Sequence, residues 1–182
     1  MQDSKIKGYL MDVENYHNIL VNNHKNPALP IHKLLFLLDI GFDTSEPEIR
    51  TAINEIMKHK DENGIYQSLI KIPKHFGGIG EDEFDWCLCD SPLLLLALLK
   101  SGVSYEEYIK PGVDYLANLP QVQGYPCTVS KEFGKFRGPG RKDDCCPYAT
   151  LLMLRLFAEV TEYKDTDLAN KNIDAILSLR QK

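Results

Sequence analysis

The chain has 182 residues, 43% hydrophobic and 26% charged, with a formal net charge of −5. This composition supports one substantial globular core and argues against a nucleic-acid partner, because phosphate-backbone binders concentrate positive charge on one face. The longest apolar run, Pro92 to Leu99, stops at Lys100, well short of the roughly 20 residues of a membrane span.

The N-terminal segment, residues 1–23, reads as an amphipathic helix. Ile6, Tyr9, Leu10, Val13, Tyr16 and Leu20 recur at three- and four-residue steps, the period of one helix face. The segment lacks an apolar signal core and a small-residue cleavage site. Five cysteines, two of them adjacent at Cys145 and Cys146, suit free thiols in a reducing cytoplasm better than a disulfide framework.

The rest of the chain repeats. Asp85 to Gly102 (DWCLCDSPLLLLALLKSG) matches Asp143 to Glu159 (DDCCPYATLLMLRLFAE) at an offset of 58, Cys87 falling on Cys145. His24 to Gly41 matches the same stretch at an offset of 61. Each copy predicts two helices. The inner one is apolar nearly all round (Leu34 to Leu38, Leu93 to Lys100, Thr150 to Val160) and must be buried on more than one side. The outer one is two-faced: Glu46 to Lys58, Tyr105 to Leu119, and Asp165 to Leu179. Pro92 suits the first turn of its helix, and Gly102 suits a left-handed cap.

The expected organisation is a single domain. It comprises an N-terminal helix (1–23), repeats over 24–64, 85–124 and 143–180, and long connecting loops over 65–84 and 125–142. Three stacked pairs are about the minimum that buries a continuous core. Both loops lead into an Asp-x-Cys sequence at the mouth of an inner helix. Loops of that length are usually functional, so a site is expected there.

These paired helices, with turns around Gly64-Ile65-Tyr66 and Gly124-Tyr125, resemble the α/α-toroid superfamily of squalene–hopene cyclases, terpene cyclases and protein prenyltransferase β-subunits. They are also similar to bacterial proteins carrying prenyltransferase/squalene-oxidase-type repeats. The resemblance implies an all-α, half-toroid or short-solenoid fold and an apolar small molecule or peptide as ligand. Cyclase chemistry would need an Asp-x-Asp-Asp acid, but the matching positions are Arg141-Lys142-Asp143-Asp144. A neighbouring arginine keeps carboxyls ionised, the wrong state for a strong acid.

Prenyltransferases hold zinc with an Asp-x-Cys and a later histidine. The Asp-x-Cys occurs here as Asp85-Trp86-Cys87 and Asp143-Asp144-Cys145, with Asp144-Cys145-Cys146 in an alternative register, but the last histidine in the chain is His75. The repeat register supplies a metal hypothesis of its own: Asp85, Cys87, Asp143 and Cys145, with His24 or His75, binding Zn²⁺ at one rim. The alternative is packing thiols with acids that favour helix N-termini. Trp86, Phe84 and Tyr148 are the candidate ligand-lining aromatics, since large rings supply contact area to an apolar ligand. Two functions stand: a binding or scaffold module needing no cofactor, or a zinc-dependent prenyltransferase-like enzyme. Uncovered inner helices at the ends of a half-toroid would favour a homodimer or belong to a longer parent.

Overall fold

The computed structural model describes residues 4–121, 123–133 and 144–179. Among these residues it is mostly helical, with seven α-helices and one two-stranded sheet. The helices are α1 (Ser4–Glu14), α2 (Pro30–Asp39), α3 (Pro47–Lys58), α4 (Ser91–Lys100), α5 (Lys110–Ala117), α6 (Pro147–Phe157) and α7 (Asp167–Ser178). Prolines open α2, α3, α4 and α6 within the first two positions, where the missing N–H is an orphan in any case.

Helices α2, α4 and α6 form a row, α4 touching both of the others. Every residue from Ser91 to Leu98 is buried, as an all-round apolar helix requires. The flanking members are covered less completely: Phe36 on α2 is 45% exposed and Leu151 on α6 is 52% exposed. The amphipathic helices cover this row, α3 and α5 against α4, and α7 against α6. Helix α1 packs on both α2 and α3 through buried Leu10 and Val13. It is thus a third helix of the first unit. No helix among the described residues is long and apolar enough to cross a membrane.

Two features depart from the sequence expectation. The stretch 65–84 is not wholly loop: β1 (Ser68–Lys71) pairs antiparallel with β2 (Asp82–Asp85), Ser68 opposite Asp85 and Lys71 opposite Asp82. The expected helix from Tyr105 begins instead as a wide π-turn over Tyr105–Ile109, closed by the Lys110 N–H on the Tyr105 carbonyl. Pro111 follows at once, and a proline inside a helix removes a donor and crowds the preceding turn.

The turn glycines hold the pairs together. Gly64 and Gly124 both have positive φ, +82° and +77°, which costs glycine little and other residues more. A Cβ on Gly64 would lie 2.9 Å from Pro111 Cβ, and one on Gly124 would lie 2.6 Å from Cys145 Sγ. The tyrosines beyond them, Tyr66 and Tyr125, are fully buried. Each carbonyl accepts from a hydroxyl at the start of an inner helix: Ser91 Oγ to Tyr66, and Thr150 Oγ1 to Tyr125.

Candidate metal centre and adjoining groove

The segment between β2 and α4 carries the densest chemistry. Beyond β2, Trp86 to Leu88 runs beside Thr128 to Ser130: Leu88 N–H donates to the Thr128 carbonyl (2.9 Å) and Ser130 N–H to the Trp86 carbonyl (3.0 Å). Cys87 is bridged antiparallel to Val129. Cys89 lies in the turn that follows this bridge, and Cys127 one residue before Thr128. A third thiol arrives from α6, where Cys146 is the N-cap; its N–H donates to the Tyr125 carbonyl (2.8 Å) and its Sγ accepts from Ala149 N–H (3.5 Å). The Sγ atoms of Cys89, Cys127 and Cys146 all lie within 4.8 Å of one another.

A second group adjoins the first through the sequence Cys87-Leu88-Cys89. His24 Nδ1 is 2.7 Å from Asp90 Oδ2, and the Cys87 thiol donates to the same oxygen at 3.3 Å. Cys87 Sγ stands 3.7 Å from His24 Nδ1. Asp90 is 1% exposed, and its other oxygen, Oδ1, has no hydrogen-bond partner among the described residues. His24 is held by its carbonyl, which accepts from Tyr148 Oη (2.9 Å) and lies 3.0 Å from His32 Nε2.

The electrostatics of the two groups differ. Burial lowers the His24 pKa, but the hydrogen bond and charge of Asp90 outweigh it and hold the imidazole above its ordinary value. Burial pushes the Cys87 thiol up to about 11. Among the three clustered thiols, Cys146 is driven strongly down, because Cys127 and Cys89 donate to it and the N–H groups of Ala149 and Tyr148 add to them. Cys127 is driven up by Cys146, Cys89 and burial. For Cys89 the bond with Cys127 lowers the value, and Cys146, Cys87 and burial together raise it.

The sequence-derived residues are distributed unevenly. His24 and Cys87 come together, joined by Asp90. Asp85 turns the other way: its carboxylate accepts from Trp86 N–H (2.7 Å), from Ser130 Oγ and from Gln67 Nε2 (3.5 Å). Cys145 packs by Thr150 Oγ1 (3.3 Å), and exposed His75 lies against Phe76. Asp143 lies outside the described residues. Cys89 and Cys127 belong to no ligand set read from the sequence, Asp90 reads as a helix start, and Cys146 enters only through the alternative register Asp144-Cys145-Cys146. The available signal was the Cys87-x-Cys89 pair beside an aspartate. The repeat alignment concealed Cys146, because it aligned Cys87 with Cys145.

Beside the thiols lies a groove of about 820 Å³. Phe84, Trp86 and Tyr115 line it, and Cys127 borders it. Trp86 meets Tyr115 edge-on at 6.1 Å, and Phe84 stacks on His59 at 3.6 Å. Glu62, Glu83 and Glu132 also line it, with Lys131 on the same wall. Tyr148 is not among the lining residues; it supports His24 instead.

No family model, curated protein or solved structure matches this chain.

Proposed function

We propose that the chain is a binding module of the α/α-toroid type, taking a small molecule or peptide in the groove beside Trp86. The inner row of α2, α4 and α6 under amphipathic helices supports the toroid reading. The groove carries the functional one: its lining combines Phe84, Trp86 and Tyr115 with the carboxylates Glu62, Glu83 and Glu132. Apolar walls with a few polar groups are the usual make-up of a ligand site. Carboxylates in the lining favour a ligand with a cationic group on an apolar or aromatic body, in place of a wholly apolar one. Aromatic faces attract such cations as well.

Trp86 is the only tryptophan in the chain, so its fluorescence reports on the groove directly. Titration with an arginine-containing aromatic peptide and with an alkyl-ammonium amphiphile should give a saturable change. Glu83→Gln with Glu132→Gln should weaken it by about tenfold, on the order of 1.4 kcal/mol. No change with either probe, or a stronger response to neutral farnesol, would contradict the reading.

A further inference from the structure

We infer that Cys89, Cys127 and Cys146 form a zinc site, binding one Zn²⁺ through three thiolates. The inference is independent of ligand binding in the groove, and either can fail alone. Zinc–sulfur bonds are about 2.3 Å long, so tetrahedral thiolates stand roughly 3.8 Å apart. Three sulfurs already within 4.8 Å of one another therefore need only a small contraction to hold a single ion.

Pre-organisation comes from the backbone. The Cys87–Val129 bridge and the Leu88 N–H bond to the Thr128 carbonyl hold the segments carrying Cys89 and Cys127 side by side, and Cys146 is fixed by the hydrogen bond of its own N–H to the Tyr125 carbonyl. Three separate segments of chain thus meet: the approach to α4, the following connection and the N-cap of α6. Soft thiolates select zinc over harder divalent ions. Binding replaces S–H by S–Zn bonds and releases a proton from each thiol still protonated, with no change of oxidation state. Three protein ligands leave a fourth position for water or an incoming group, the arrangement of reactive rather than closed zinc sites. Because Cys127 also borders the groove, the ion would sit at the groove wall.

The rival location is the His24–Cys87–Asp90 group, which also gathers within 4.8 Å. There the carboxylate already holds the imidazole and accepts from the thiol, so two of the three ligands would have to exchange existing bonds. The thiol trio instead brings three sulfurs of one kind together from three segments of chain, a donor set whose softness suits zinc.

The test is elemental analysis of the full chain purified under reducing conditions and dialysed against zinc. The native chain, Cys145→Ala and Cys87→Ala should carry roughly one zinc each. Cys89→Ala, Cys127→Ala and Cys146→Ala should lose it. Should any variant fail to fold, alkylation of the unmutated chain still decides the matter: zinc should protect Cys89, Cys127 and Cys146 from iodoacetamide and leave Cys145 reactive. A reduced chain that holds no zinc would overturn the inference. So would zinc lost from Cys87→Ala and Asp90→Asn but kept by Cys89→Ala, or equal alkylation of all five cysteines with zinc present.

Discussion

At the C-terminal ends of the inner helices, cations and anions are matched. Lys100 of α4 reaches Asp39 of α2 and Glu159 just beyond α6, each at 3.1 Å, and Arg155 of α6 lies 3.3 Å from the same Asp39. Nearby, Lys110 pairs with Glu162 at 2.7 Å and with Asp114 at 3.4 Å. At the opposite ends of the same helices the chain gathers thiols and a buried carboxylate, with His24 hydrogen-bonded to Asp90. Exposed ion pairs of the first kind tie helices together at little gain. At the second end Cys87 and Asp90 are buried and the three clustered thiols are half-buried, and a buried polar or charged group is costly unless it has a partner. One end of the row is finished by the chain itself, and the other carries the zinc site proposed above.

The contrast can be broken from either end. Removing zinc should produce the largest effect. If the ion binds only the folded chain and is present at about a thousand times its dissociation constant, it adds roughly 4 kcal/mol. Chelation under reducing conditions should then lower Tm by about 10 °C at this chain length. A scan unchanged by chelator would place no ion at the thiol end.

Gly124→Ala acts on the frame behind that end. Its new Cβ would meet Cys145 Sγ at 2.6 Å and Thr150 Oγ1 at 2.8 Å, at a φ of +77°. The expected cost is about 2 kcal/mol in urea unfolding. An unchanged urea midpoint would show that the turn tolerates the side chain.

At the charge-matched end, Lys100→Met should cost at most about 1 kcal/mol, and less in high salt. A larger, salt-independent loss would mean that this end also depends on buried interactions.

The smallest expected effect is a slope against pH at Asp85. Burial raises its carboxyl above the ordinary range, against the lowering by Ser130 and the Trp86 N–H. The folded chain therefore holds this proton more tightly than the unfolded chain. The associated stability is fully present below about pH 4 and is lost as pH rises through the raised folded value. Asp85→Asn should flatten that part of the stability–pH curve, and an unaltered slope would assign it to other groups.

How much of this was legible in the sequence follows from the range of the interactions. The inner helices were visible because the leucine runs are local and the repeat restates them. Gly64 and Gly124 were visible because the turn recurs with its tyrosine. The hairpin Ser68–Lys71 with Asp82–Asp85 was not, since two four-residue strands have little signal until they pair. The thiol trio was hidden for a related reason. Its members stand at 89, 127 and 146 with none of the short spacings that mark a metal site. Only the pairing of 86–88 with 128–130 brings the first two together. Cys87 and His24 did emerge from the repeat register, because both sit at the mouths of equivalent helices. Their partner Asp90 is the residue just before Ser91 of α4 and reads in sequence as a helix start alone.

The most direct test is X-ray absorption at the zinc edge of the metal-loaded, reduced chain. Three sulfur neighbours at about 2.3 Å with one nitrogen or oxygen at about 2.0 Å is the expected first shell. A shell of one sulfur with nitrogen and oxygen neighbours would place the ion at His24, Cys87 and Asp90 and contradict the three-thiolate centre.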